Sequence, residues 1–564
     1  MSQPDQSPAA APSTTAAVRE TLESLLLALI LAFIFRGFVV EAFVIPTGSM
    51  ATTLLGAHMR LTCQDCAFVF DTTYQTPNTA DARVPQATGP VAIRAVQIND
   101  AGQRVARNTL VDRDMAIFCP NCGYKIPATV PGDDANDARN IPVHYGDRIL
   151  VSKYAYLLSE PKRWDVVVFK DPSDLPDYEQ NFIKRLVALP RESVLILDGD
   201  IYIAPEGSNV FSIARKPERV QEDLWRNIYN NDFHPTGKPR AEVFSSPWRP
   251  ESASAGFKLA GPLVNFSSES STLASLNFTP PNDRFVHQLD DFLGYNQTEN
   301  QGPGSPPDST GYLPSLPTTP VSDLKLSLTY QRHSGDGPME LHVTKERRRF
   351  ILRVTTSTAQ LFMVDERDIT ASGNTREMAI GQELPLPSGP VELCLMQADY
   401  TARATVNGFV IGQTTPEQFS PDVDELIRRF ARHEVAPAAS VNIYAAAQDS
   451  TISHLRLCRD IHYTNTSNRG VLRHATPLFF PERVVTLRDK EYFVLGDNSP
   501  LSADARFWLD DIALPDEDLF VEPGRVPERF LLGKALVVYW PAGHRPTTST
   551  PPIIPNFKDI RIIR

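Results

Sequence analysis

Residues 24–40, SLLLALILAFIFRGFVV, are apolar except at Ser24, Arg36 and Gly37, and they run straight into EAFVIPTGSM. A run of this length sits at the lower limit of what crosses about 30 Å of hydrocarbon as a helix, so the chain must place it in a bilayer, shed it, or bury it. Arg36 can snorkel to an interface. A cleaved secretory leader would carry a basic start and small residues at a cut site. Here Arg19 is offset by Glu20 and Glu23, and the run ends in VVEAFV. The expectation is a transmembrane helix anchoring the chain over residues 19–42, with a cleaved leader and a buried core helix as the other readings. The flanking charges are too balanced for the lysine and arginine excess to set orientation. Residues 1–18, rich in Ala, Pro, Ser and Thr, cannot build a core and are expected to be a disordered tail.

Beyond this run the 564 residues suffice for three or four domains at about 150 residues each. A formal net charge of −12 argues against binding nucleic acid by phosphate neutralisation. Proline is abundant at 48 residues while glycine is ordinary at 29, which points to many turns and a mainly β chain.

The serine in PTGSM deserves weighing only in context, since most serines beside glycine are turn residues. Pro46 and Gly48 bracket a tight turn leaving the apolar strand AFVI, so Ser49 sits where backbone can approach a ligand. A nucleophilic serine also needs a base, and no histidine lies in a recognisable acid–base arrangement. A second segment, NFIKRLVALPRESVLILDGDIYI, reads as two strands around Pro190. In FIKRLV, alternation drives one of Lys184 and Arg185 toward the buried face. Arginine keeps its proton, but a lysine desolvated among neighbours such as Phe182 and Leu186 loses basicity and can serve as a general base. Taken alone, a snorkelling edge-strand lysine explains the pattern as well. A third segment, YFVLGDNSPLSADARFW, runs from a strand into a Gly-Asp-Asn turn and then places Ser502, Asp504 and Arg506 at alternate positions. In isolation, an Asp504–Arg506 pair would be a solvated surface couple.

Together IPTGSM, FIKRLVALP and GDNSPLSADAR, in this order and with these flanking strands, resemble the type I signal peptidases, the membrane-bound Ser/Lys leader peptidases. GDRILVSKYAY (146–156) is similar to the strand motif this family places between serine and lysine, and GKALVVYWPAG (533–543) to its last strand. The resemblance implies Ser49 as nucleophile and Lys184 as general base, with the Ser49 N–H and the Thr47 hydroxyl forming an oxyanion hole. It implies that Ser502 orients the lysine amine, that Asp504 and Arg506 form a structural ion pair, and that catalysis uses no cofactor. It covers roughly residues 24–60, 145–203 and 483–545, under a third of the chain. The family favours glycine where Ala188 and Arg191 stand and arginine where Ser499 stands.

Two insertions fill most of the remainder. The first carries Cys63-Gln-Asp-Cys66 and Cys119-Pro-Asn-Cys122-Gly, two C-x-x-C turns that read as a tetrahedral zinc site of the zinc-ribbon kind. Disulfides or free thiols remain as alternatives, and an oxidising outer compartment would favour the former. The second insertion alternates in DLKLSLTY, MELHVT, RFILRVT, AQLFMVDE, VELCLMQ, ATVNGFVIG, SVNIYAA and ISHLRLCRD, with an Asn407-Gly408 hairpin signal. Strands at such spacing imply a two-sheet sandwich similar to the concanavalin-like or laminin-G-like jelly rolls. Its partner is unknown, a lectin-like face and a plain docking or structural module both being open. Cys394 and Cys458 fall in strands as buried thiols. Because the sandwich enters at a loop, residues 256–464 are expected to be replaceable by a linker without loss of the chemical step.

The expected order is therefore tail 1–18, anchor 19–42, a signal-peptidase-type β catalytic domain in three parts (43–60, 140–203, 481–564), a zinc-ribbon-like insert 61–139, an irregular connector 204–255 and a β-sandwich insert 256–480. The resemblance implies a serine endopeptidase of the inner membrane, single-pass, with its catalytic domain on the extracytoplasmic face. It would remove signal peptides from exported preproteins, with the lipid bilayer as its other partner and no role for nucleic acid. The alternative from another class is an inactive, membrane-tethered binding protein that uses the sandwich and the ribbon.

Overall fold

Two strands that bury both faces, Val166–Lys170 and Asn181–Ala188, set the centre of the first sheet. Val166 and Val168 pack into one apolar cluster with Ile45, Met50 and Ile149, while Val167 and Phe169 pack into another with Leu186, Val194 and Phe493. Such a strand reads as a continuous hydrophobic run rather than an alternation. This is why Lys184 and Arg185 are both buried, 3% and 0% exposed, where alternation leads one to expect a single buried partner.

The computed structural model describes residues 14–34, 40–73, 96–98, 104–106, 117–124, 143–144, 146–171, 181–236, 244–280, 289–298, 319–369, 375–432, 434, 436–463, 484–508, 512–514, 519–542 and 555–564. The chain is mainly β. The first sheet runs, strand beside strand, Val40–Val44, Arg148–Ser152, Leu531–Trp540, Val166–Lys170, Asn181–Ala188, Glu491–Leu495 and Val526–Pro527, with Arg561–Ile562 added on Leu531–Trp540. Three stretches of sequence far apart thus close one sheet. Next to it Glu192–Leu197 and Asp200–Pro205 form a hairpin in a four-stranded sheet.

Two large antiparallel sheets share a second core. One holds Phe257–Ala260, Leu263–Ser268, Gln448–Arg459, Leu324–Gly335, Val391–Ala398, Thr401–Val406 and Phe409–Gln413 in that order. The other holds Trp248–Pro250, Ala274–Phe278, Val441–Ala445, Met339–Lys345, Arg348–Val354, Thr358–Ile369 and Thr375–Pro385. Inward residues of both, among them Leu326, Leu395, Leu341 and Leu352, meet in one cluster. Asn407 and Gly408 both have positive φ, 49° and 79°, as the two-residue hairpin between Thr401–Val406 and Phe409–Gln413 requires. Cys458 is buried as expected, while Cys394 is only half-buried.

Three expected boundaries shift. Helix Thr14–Ile34 begins inside the predicted tail, the rest of which lies outside the described residues. The predicted anchor overruns the first strand, since Val40, Glu41 and Ala42 already pair with Ser152, Val151 and Leu150. Arg36 and Gly37 lie outside the described residues. Among the described residues no helix is long and apolar enough to cross a membrane. Arg19 and Glu23 fall in the second and third turns of Thr14–Ile34 and leave Ser24–Ile34 as its apolar part. The predicted connector is not irregular: it contains helix Glu218–Leu224, and its strand Arg226–Asn230 joins the sandwich sheet on Gln448–Arg459.

A buried ion cluster joins the sandwich to the neighbouring sheets. Lys345 Nζ lies 3.1 Å from Asp200 and 2.5 Å from Asp323, and Lys216 Nζ lies 2.5 Å from Asp399 and 2.8 Å from Asp460. Burial opposes the charge of both lysines, but the surrounding carboxylates outweigh it and hold them above their ordinary range. The carboxylates of Asp200, Asp323 and Asp399 crowd within 4.8 Å of one another, so the two ammonium groups are what makes the cluster tenable. Lys345→Met leaves two buried carboxylates short of their counter-ion. It is expected to cost about 3–5 kcal/mol, read as a lower urea midpoint of the full chain.

Candidate functional site

Val40–Val44 ends at Pro46, and the chain turns through a 3₁₀ turn at Gly48–Met50. Met50 is fully buried in the cluster that also holds Ile45 and Leu54, which pins the far side of the turn. The near side carries Ser49. Its Oγ accepts a hydrogen bond from Lys184 Nζ at 2.7 Å. Lys184 lies on the central strand Asn181–Ala188, with the Phe182 ring centroid 5.2 Å from its Nζ. A serine hydroxyl and an amine at this separation are within reach for direct proton transfer.

The neighbouring residue Arg185 fixes the third segment. It donates to Asp497 twice, Nε to Oδ1 at 2.8 Å and Nη2 to Oδ2 at 2.7 Å, and both side chains are fully buried. Burial opposes ionisation of Asp497, but the charge of Arg185 outweighs it and holds the carboxyl below its usual range. From this anchor the Gly-Asp-Asn turn reaches Ser49: the Asn498 N–H donates to Ser49 O at 3.0 Å, and its Nδ2 donates to Gly48 O at 2.9 Å. Gly496 must be glycine, because a Cβ there would run into Ser502 Oγ and lie 2.5 Å from Ser49 O.

The remaining predicted residues sit around this contact. Asp504 and Arg506 form a bidentate ion pair with both bonds at 2.8 Å, and both are buried rather than solvated. Asp504 also accepts from the Gly496 N–H at 2.9 Å. Arg506 donates to the Ser499 hydroxyl and carbonyl, each at 2.9 Å, so serine at 499 leaves room for the arginine from below. Ser502 is buried beside Gly496, and its Oγ has no hydrogen-bond partner in the structure, so its expected bond to the lysine amine is not formed here. Thr47 is exposed and makes no side-chain bond at the start of the Ser49 turn. Arg191, where the family favours glycine, has φ of +62°, the conformation that favours glycine.

Sequence reasoning missed the Arg185–Asp497 pair, Asn498 and a contribution from the sandwich insert. Residues Gly294–Thr298 form a short 3₁₀ segment laid against the serine turn. Tyr295 is buried on Gly48, where a Cβ would come within 2.5 Å of Cε1 of its ring. Asn296 and Asn498 exchange amide hydrogen bonds at 2.7 and 2.8 Å. The stretch 256–464, expected to be replaceable by a linker, thus supplies contacts to the serine turn that this expectation did not include. The only signal in the sequence was the Gly-Asp-Asn turn itself; nothing marks Asn296.

The four cysteines Cys63, Cys66, Cys119 and Cys122 come together as expected. All are buried, and their Sγ atoms lie within 4.8 Å of one another. Cys63 to Cys122 is 3.6 Å and Cys66 to Cys119 is 3.7 Å. A tetrahedron of thiolates at about 2.3 Å from zinc has edges of about 3.8 Å, whereas a disulfide needs about 2.05 Å. The two turns repeat one geometry. Cys63 N–H bonds Phe68 O and Ala67 N–H bonds Cys63 O, just as Cys119 N–H bonds Tyr124 O and Gly123 N–H bonds Cys119 O. Ala67 and Gly123 both take positive φ, 62° and 68°. The donor set and spacing fit a zinc ion.

The family profile for signal peptidase, peptidase S26, matches residues 130–240 and 446–540, which take in Lys184, Ser502, Asp504 and Arg506. Ser49 lies before the matched residues and is joined to them by its contact with Lys184. A probable signal peptidase I-2 of Synechocystis sp. is 32% identical over 77 residues, 12% of this chain and 35% of the relative. A signal peptidase I of Pseudomonas aeruginosa is 36% identical over 83 residues, 15% of this chain and 26% of the relative. The chain thus spans about a third of the length of the curated relatives it matches. Among solved structures, an apo Crh5 transglycosylase aligns over 47% of this chain and 94% of its own, at 9% identity and a TM-score of 0.25, too slight a likeness to bear on function. The site joins a buried lysine on one β-sheet to a serine hydroxyl. Over part of its length the chain is similar to the type I signal peptidases.

Proposed function

We propose that this chain is a membrane-anchored serine endopeptidase that removes signal peptides from exported preproteins with a Ser/Lys dyad. The observation that carries the proposal is the 2.7 Å hydrogen bond from Lys184 Nζ to Ser49 Oγ, with the lysine 3% exposed. Lys184 in its neutral form takes the proton as Ser49 Oγ attacks the scissile carbonyl, forming the C–O bond. The oxyanion is met by the Ser49 N–H and, after rotation toward substrate, by the Thr47 hydroxyl. The lysine ammonium then returns its proton to the leaving amine as the C–N bond breaks. In the second half Lys184 takes a proton from water, which displaces Ser49 from the acyl group and regenerates the hydroxyl. Ser502 is proposed to support the amine once substrate is bound, and the Asp504–Arg506 pair to hold the turn that carries it.

The anchor is proposed for the helix beginning at Thr14. Leu22, Leu25, Leu26, Leu27, Leu29 and Ile30 are 47–62% exposed, an apolar surface that water does not favour and a bilayer does. With the run continuing to Val40 in sequence, this surface supports an anchor in the inner membrane, and the catalytic sheet is proposed for the extracytoplasmic face beside membrane-embedded signal peptides. The four cysteines are proposed to hold one structural zinc ion, which plays no part in catalysis and would tie the segments around 63 and 119 together.

Ser49→Ala and Lys184→Arg should each lower preprotein cleavage by at least about 10³-fold without unfolding the chain, since arginine keeps the charge but cannot accept the proton. Retained turnover in Lys184→Arg would sink the dyad. Elemental analysis of chain purified without chelator should find one zinc per molecule. Chelation should then lower its thermal stability. Four thiols blocked to alkylation in metal-free chain would establish disulfides instead.

A further inference from the structure

We propose that Asn296, carried by the sandwich insert, is a positioning residue of the peptidase site that aims the Ser49 N–H through Asn498; the proposal rests on the Ser/Lys reading above. A trans peptide holds its C=O and the following N–H in one plane, pointing in opposite directions. The only cis bond among the described residues joins Ala51 and Thr52, so the Gly48–Ser49 peptide is trans. Whatever holds Gly48 O therefore sets the direction of the Ser49 N–H, the backbone donor of the proposed oxyanion hole. That carbonyl is held by Asn498 Nδ2 at 2.9 Å.

The Asn498 amide presents its nitrogen correctly only if its orientation is fixed, because an asparagine amide can turn about its last torsion. Asn296 fixes it. Asn498 Nδ2 also donates to Asn296 Oδ1 at 2.8 Å, and Asn296 Nδ2 donates to Asn498 Oδ1 at 2.7 Å. A reciprocal amide pair satisfies donor and acceptor at once, so turning the Asn498 amide over would set like against like. Both residues are buried, 6% and 1% exposed, and water does not easily take over these bonds.

Asn296 is itself held on both sides. Tyr295 packs on Gly48, and its carbonyl accepts from Thr72 Oγ1 at 3.2 Å. Gln297 brackets the Phe118 backbone, accepting from its N–H at 2.8 Å and donating to its carbonyl at 2.9 Å. Phe118 immediately precedes Cys119, so the segment spans from the cysteine cluster to the catalytic turn. The insert thus completes the site rather than merely hanging from the fold.

The test measures kcat and KM of the full chain on a signal-peptide substrate with small residues at −1 and −3, for Asn296→Ala, Asn498→Ala and the double variant. Asn296→Ala is expected to lower kcat about tenfold with KM within twofold, as for a misaligned oxyanion donor. The double variant should be no slower than Asn498→Ala alone, because both act on one peptide plane. Asn296→Asp is nearly isosteric and retains the fold should alanine not. Its ionised carboxylate offers no donor to Asn498 Oδ1, whereas the protonated acid restores the pair. The ratio of Asn296→Asp to wild-type kcat should therefore rise as pH falls, a signature that a purely structural loss lacks. Cleavage that survives Ser49→Ala would fail the Ser/Lys reading and the positioning role with it. Ser49-dependent cleavage whose kcat is unchanged in Asn296→Ala, or multiplicative losses in the double variant, would overturn the positioning role alone.

Discussion

Burying a lysine amine in a β-sheet is costly, and the architecture around Ser49 follows from meeting that cost in one particular place. Lys184 lies on a strand with apolar clusters on both faces, so its ammonium form loses hydration. The next residue along, Arg185, is buried just as deeply and is given Asp497 in a two-bond ion pair. Arg185 anchors the Gly-Asp-Asn turn through Asp497, and the turn in turn holds the serine loop beside Lys184.

The insertions are bound into this arrangement by polar contacts as well as by shared apolar clusters, such as Leu195, Leu197 and Tyr202 with Leu426. Lys345 and Lys216 neutralise a crowd of buried carboxylates where the sandwich meets the hairpin Glu192–Leu197 and Asp200–Pro205. At the other side Gly294–Thr298 links Phe118, beside the cysteine cluster, to Gly48 and Asn498. Buried ion pairs and amide pairs gain little net stability over apolar packing but tolerate almost no misplacement. They therefore fix register between modules, which is what a site assembled from distant stretches of sequence requires.

What the sequence made legible, and what it did not, divides along the same lines. Ser49, Lys184 and the Asp504–Arg506 pair were readable because short motifs kept their order around long insertions, and Cys63, Cys66, Cys119 and Cys122 because C-x-x-C spacing restricts geometry. The sandwich strands with clear alternation were readable too; Phe257–Ala260, Leu263–Ser268 and Ala274–Phe278, each six residues or fewer, were not. The burial of both Lys184 and Arg185 escaped because alternation assumes one wet face, and this strand has none. Asn296 escaped for a deeper reason: its role lies in one tertiary contact, and neither composition nor period marks a residue whose partner is a turn brought near only by the fold.

Covalent trapping reads out whether the buried Lys184 activates Ser49. Full-length chain incubated with an acylating serine-directed probe and then mapped by peptide mass spectrometry should carry a single adduct on Ser49, formed at a rate that collapses in Lys184→Arg. An adduct on another residue, or labelling of Ser49 at an undiminished rate in Lys184→Arg, would contradict it.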